Sequence, residues 1–149
     1  MLALILKTDD TQTNIMTSDG KNLWRERWLG CINELTSFDL QKKSWLDKTH
    51  TNPHWSFIEF MCSYFVDLGI DDHYKYVIDK GWLTTQEFEV IKDWHEELNK
   101  YDLLKNNDYD HSEILNDPMW LEILQIGQTM KHKLASIINE TEKKILIRN

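Results

Sequence analysis

The chain has 149 residues, 41% of them apolar, with seven Trp, five Tyr and five Phe and a formal net charge of −8. That length fits one domain, and that apolar content excludes disorder of the whole chain. An acidic excess disfavours nucleic acid and anionic membrane surfaces as direct partners, and no apolar run nears the 18 or so residues that a bilayer span needs.

Met1-Leu2-Ala3-Leu4-Ile5-Leu6 is apolar but has no basic residue ahead of it and no small-residue cleavage site, so it makes a poor secretion signal. A polar stretch from Lys7 to Ile15 follows. Residues 1–15 read as an N-terminal arm that the fold can dispense with, with Met16 a candidate start and residues 16–149 one helical domain. Within that domain Trp24, Trp28, Cys31 or Ile32, and Leu35 recur at helical spacing, and a second short helix is expected from Phe38 to Leu46.

Asn52-Pro53 has the form of a helix start, a capping side chain before a proline that needs no amide partner, and Gly69 has the form of a stop. Between them, over about 53–68, apolar residues lie on almost every side, so this helix is expected at the centre of the fold with others around it. A short helix over Asp72 to Lys80 should close on Gly81, with Trp82-Leu83 folding back. Thr84 and Glu87 form a Thr-x-x-Glu capping box that opens the next helix. There Phe88, Ile91, Trp94 or His95, Leu98 and Tyr101 face inward, while Glu89, Asp93, Glu96, Glu97 and Lys100 face out. A loop is expected over Asn106 to Asp110. Asp117-Pro118 then starts the longest helix, running to about Lys144, with Trp120, Ile123, Gly127, Met130, Leu134, Ile137 and Ile145 on its inward stripe. With no Asn-Gly or Asp-Gly hairpin between alternating runs, the fold class is all-α, a single irregular domain of five to six helices.

Catalytic patterns are sparse. Cys31 and Cys62 sit in apolar runs without a CxxC pair, where free thiols act as small hydrophobes; this suits a reducing cytoplasm and makes the Asn139-Glu140-Thr141 sequon incidental. His50 and His54 are separated by Asn52-Pro53 and cannot share a helix face, so they are not read as a metal pair. His95 reads as a satisfied, half-buried histidine. Asp108 to Ser112 begins like a calcium loop, but Glu113 stands where the turn needs glycine and Met119 where a bidentate Glu is required. No phosphate loop, nucleophile elbow or HExxH pair occurs. No enzyme activity, cofactor or metal is expected. Lys131, Lys133, Lys143, Lys144 and Arg148 read as a solvated helix face.

The acidity is regional. From Glu59 to Asp117 there are fifteen carboxylates and five lysines, while both flanks nearly cancel. Pairs such as Lys92–Glu96 and Glu96–Lys100 would be ordinary on any exposed helix. Accumulation over successive elements (Asp67, Asp71 and Asp72; Asp93, Glu96 and Glu97; Asp102, Asp108 and Asp110) would leave uncompensated repulsion that a cationic partner relieves. Asp71, Asp72, Asp93, Glu96, Glu97, Asp108, Tyr109 and Asp110 are therefore the expected partner-binding residues, and Trp55, Phe60, Met61, Trp94 and Trp120 are assigned to the core.

Residues 20–101 also resemble a family. Trp24, Trp28 and Cys31-Ile32-Asn33-Glu34-Leu35, then Trp45-Leu46-Asp47, the run from Asn52 to Met61, and Gly81-Trp82-Leu83-Thr84 before the acidic helix are similar to small immunity proteins of bacterial contact-dependent growth inhibition and related polymorphic toxin systems. The resemblance implies a cytoplasmic inhibitor that binds and neutralises one cognate toxin domain. Such toxins are frequently nucleases, so the implied target is a basic cleft that an acidic surface occludes. The alternative is an acidic helical adaptor or regulator on a basic cellular protein. Oligomeric state is left open.

Overall fold

The computed structural model describes residues 20–49, 55–104 and 110–148, and its regular structure there is all helical. The proposed arm, the Asn52-Pro53 start, His50 and His54 lie outside the described residues, as do Asp108 and Tyr109. Eight helices occur among the described residues, rather than five or six: α1 (20–36), α2 (Phe38–Trp45), α3 (Phe57–Cys62, continuing as a π-helical turn over Ser63–Asp67), α4 (Lys75–Asp79), α5 (Thr85–Leu104), α6 (His111–Leu115), α7 (Pro118–Ala135) and α8 (Glu140–Leu146).

Helix α3 starts at Phe57, four residues after the expected Pro53, because Ser56 is its cap: the Ser56 hydroxyl accepts from the Glu59 amide at 3.1 Å, and the Glu59 carboxylate accepts from the Trp55 amide at 2.6 Å. This is a Ser-x-x-Glu start of the kind read correctly at Thr84. One side of α3 meets the core through Phe57, Phe60, Met61, Tyr64 and Leu68, all buried. The expected all-round enclosure is incomplete: Cys62 and Val66 are exposed, Val66 to 68%. Cys31 is buried, so only one of the two thiols behaves as the core hydrophobe expected.

The helix expected from Asp72 begins at Lys75. His73 and Tyr74 take left-handed backbone angles (φ 57° and 70°), which delays the helix, and the Asp72 carboxylate accepts from the Tyr76 amide at 2.9 Å. At the far end the Gly81 amide bonds Ile78 O and the Trp82 amide bonds Val77 O, both at 2.9 Å, a Schellman closure that places Gly81 at φ 78°. Trp82 and Leu83 then turn back into the Thr84 box.

Helices α5 and α7 pack along each other in antiparallel sense, with Tyr101 on Trp120 near one end (ring centroids 5.1 Å) and Trp94 on Gly127 further along. Helix α7 ends at Ala135, not near Lys144, and α5 at 20 residues is longer than α7 at 18. Asn139 interrupts the run by accepting from the Glu142 amide at 2.8 Å, which starts α8. Two side-chain relays lock α1 and α2 onto this pair. Trp120 Nε1 donates to Gln41 Oε1 at 2.9 Å, and Gln41 Nε2 donates to Glu34 O at 2.9 Å. The Gln128 amide donates to Thr36 O.

Gly127 marks the closest approach. A Cβ there would lie 2.7 Å from Thr36 Cγ2 and 2.9 Å from Trp94 Nε1, both on buried side chains. Gly127→Ala is expected to destabilise the fold by about 1–3 kcal/mol in urea titration, because overpacking outweighs the helix-propensity gain. A neutral or stabilising result would contradict this packing.

Candidate functional site

The capping box is part of a larger ionic clasp. Arg25, on α1, donates through Nε to Glu142 Oε2 (2.6 Å), through Nη1 to Trp82 O (2.8 Å) and Glu87 Oε1 (3.0 Å), and through Nη2 to Glu87 Oε2 (2.6 Å) and Glu142 Oε1 (3.3 Å). The side chains are 12% (Arg25), 6% (Glu87) and 17% (Glu142) exposed. Glu87 simultaneously caps α5, accepting from the Thr84 amide at 3.0 Å. Burial alone would raise the Glu87 carboxyl, but hydrogen bonds from Arg25 and from Thr84 hold it below its usual value. Arg25 was not singled out from sequence; nothing in the spacing of Arg25, Glu87 and Glu142 announces a three-helix contact.

The clasp sets where α5 starts, and helical phase does the rest. Ile91, Trp94, His95, Leu98 and Tyr101 are buried, with Asp93 and Glu96 exposed and Glu97 half-buried. These three carboxylates meet Glu122 of α7 around a groove of about 460 Å³ whose apolar part is Met119, Ile123 and Ile126. No basic side chain lines it among the described residues. The cations of α5 bridge differently from expectation: Lys92 pairs with Glu89 (2.8 Å) and Lys100 with Glu97 (3.3 Å), so the expected Lys92–Glu96 and Glu96–Lys100 bridges do not form.

The other expected contact residues lie elsewhere. Asp71 and Asp72 are exposed in the turn before α4, where Asp72 serves the backbone of Tyr76. Asp110 caps α6 by accepting from the Glu113 amide at 3.0 Å. Sequence reasoning thus found three of the four groove carboxylates. It missed Glu122, which lies outside the acid-rich stretch in chain order and joins it only because α7 runs back beside α5. Of the assigned core residues, Phe60, Met61, Trp94 and Trp120 are buried and Trp55 is half-buried.

Further potential chemistry is sealed inside. Trp28 Nε1 donates to the Tyr74 hydroxyl at 3.1 Å, Tyr74 and Tyr64 share a hydrogen bond, and the Tyr64 hydroxyl lies 2.8 Å from His95 Nδ1. Trp28 can only donate, so the order Trp28 to Tyr74 to Tyr64 to His95 gives each hydroxyl hydrogen an acceptor and leaves His95 neutral. Burial raises both tyrosines. Desolvation, with His73 adding to it, lowers His95 to about 4. At 4% exposed, His95 is more enclosed than the half-buried state expected for it.

A second groove, of about 740 Å³, runs along α1 between the end of α3 and α8. Arg27 and Arg148 alternate there with Glu26, Glu34 and Asp67, and the Cys31 thiol is pushed up to about 12, first by burial and then by Glu34 and Asp67. Lys131 is no part of an outward cationic face: its ammonium donates to Asn33 Oδ1 at 2.6 Å, and burial lowers it to about 8. Among the described residues no group of three or more His, Cys, Asp or Glu side chains is placed to hold a metal, and no helix is long and apolar enough to cross a membrane.

No family model, curated protein or solved structure matches the chain.

Two outcomes test these interiors. Arg25→Met leaves the buried Glu87 and the half-buried Glu142 uncompensated and is expected to cost about 3–5 kcal/mol. Because the folded Glu87 value lies below the unfolded one, its contribution is present above about pH 4.3 and fades as pH falls through the folded value, so the penalty should shrink in acid. A variant as stable as the parent in urea at pH 7 would contradict the clasp. For His95 the folded value also lies below the unfolded one, near 6.5, so stability is full above that pH and declines toward about 4. His95→Gln is expected to lose about 2–3 kcal/mol less than the parent between pH 7 and 4.5; equal losses would contradict a neutral buried His95.

Proposed function

We propose that the chain is an immunity protein that binds one cognate toxin domain, a nuclease with a basic cleft, and neutralises it in the cytoplasm. The observation that carries this reading is the meeting of Asp93, Glu96 and Glu97 with Glu122 over an apolar strip, in a groove whose described lining holds no cation. Such a surface raises the encounter rate with a cationic cleft and, once seated, competes with the phosphates that the cleft normally receives. Exposed Met119, 51% accessible, and half-buried Ile126 supply the apolar contact that charge alone lacks.

The resemblance of residues 20–101 to immunity proteins points the same way. In this reading the protein acts by occlusion and not by catalysis, and neither nucleic acid nor membrane is its direct partner. Its helices serve as the rigid frame that holds the carboxylates in place before the toxin arrives, so little ordering entropy is lost on binding.

The triple change Asp93→Lys, Glu96→Lys and Glu97→Lys is expected to leave the circular dichroism spectrum intact. It should slow association with the toxin domain that the protein neutralises at least about tenfold at low salt, and abolish rescue of growth on co-expression. An unchanged association rate would show that this face is a solvated surface and not the capture site.

A further inference from the structure

We infer that the α5–α7 groove receives a cationic amphipathic helix of the partner, lying lengthwise between the two helices. This rests on the reading of the groove as the capture surface and adds the form of the element captured. Three observations converge. The apolar residues of the groove come from one face of α7, Met119, Ile123 and Ile126, at the i, i+4, i+7 spacing of a helix ridge, with Met119 exposed, Ile126 half-buried and Ile123 buried beneath them. A trough between two antiparallel helices with such a ridge accepts a third helix by the same ridge-into-groove packing that joins the first two. The carboxylates stand along both walls, Asp93, Glu96 and Glu97 on α5 and Glu122 on α7, so the occupant needs positive charge on both flanks of its apolar stripe.

Local ion pairing neutralises only part of this surface. Lys92 turns to Glu89, outside the groove, and Lys100 bridges Glu97, while among the described residues no cation bridges Asp93 or Glu96. From Met119 to Ile126 the strip spans eight residues, a rise of roughly 10 Å at 1.5 Å per residue, or about two turns of helix. An exposed methionine at its head is unbranched and adapts to a knob from the other side. A flat phosphate-mimicking surface would need only the acids. An apolar ridge between two acidic walls instead selects a helix carrying Leu or Ile at i, i+3, i+4 and i+7 with Lys or Arg on either side.

The test uses the full chain and two synthetic 16-residue peptides of identical composition. One has Leu and Lys ordered as an amphipathic helix, and the other is scrambled so that no apolar face forms. Calorimetry gives affinity, and methyl NMR of Met119 and Ile126 gives location. The ordered peptide is expected to bind at least about tenfold tighter than the scrambled one and to shift both methyls, with binding lost in Met119→Lys and in Asp93→Lys/Glu96→Lys. Met119 is exposed in the first turn of α7, so its replacement leaves the fold intact. Equal binding of the two peptides, unshifted methyls, or no binding of either overturns the helix inference. The toxin-capture reading would then stand or fall separately, on the charge-reversal kinetics.

Discussion

Arg25 commits all five of its N–H donors to three separate parts of the chain: the Trp82 carbonyl, the Glu87 carboxylate at the head of α5 and the Glu142 carboxylate at the head of α8. The net worth of a buried ion cluster is small, because desolvation offsets attraction, but the cost of breaking one is large. Its effect here is positional. Glu87 is bound at once to Arg25 and to the Thr84 amide, so the first turn of α5 cannot rotate about its axis. Everything downstream in that helix inherits its phase. Trp94 and Leu98 turn into the core, and Asp93, Glu96 and Glu97 turn out toward α7.

A second constraint sits at the centre. Left-handed backbone at His73 and Tyr74, neither of them glycine, costs on the order of 1–3 kcal/mol per residue. The strain is held by burying the Tyr74 ring completely and by tying its hydroxyl to Trp28 and Tyr64. That tie continues to His95 on α5, so the same network that stabilises the turn anchors the inner face of the helix whose outer face is acidic. The inner polar network and the outer carboxylates lie on opposite sides of one helix, and the sealed side is what makes the exposed side rigid.

Much of this was legible wherever a local rule decides structure. The Thr84–Glu87 box, the Asp117-Pro118 start, the Gly81 stop and the inward stripes of α1, α5 and α7 follow from capping and periodicity alone. The misread boundaries were contests between two local signals. Asn52-Pro53 overshadowed Ser56-x-x-Glu59, and the apolar continuation to Ile145 overshadowed Asn139-x-x-Glu142, each an equally good cap three residues from its glutamate. What could not be read was long-range. Arg25 reaches Glu142 across 117 positions, and Glu122 joins the groove through helix packing. Of the eight expected contact residues, Asp93, Glu96 and Glu97 line the groove, Asp71, Asp72 and Asp110 lie away from it, and Asp108 and Tyr109 lie outside the described residues: charge counting along the chain gathers acids by sequence, whereas a partner meets them by surface.

The proposed capture of a cationic partner in the α5–α7 groove is located most directly by amide hydrogen exchange of the protein bound to the proposed toxin domain. The account predicts slowed exchange over residues 92–98 and 119–127, with little change along the α1–α8 groove. Protection centred instead on α1 and α8, with residues 92–98 and 119–127 unchanged, would contradict it.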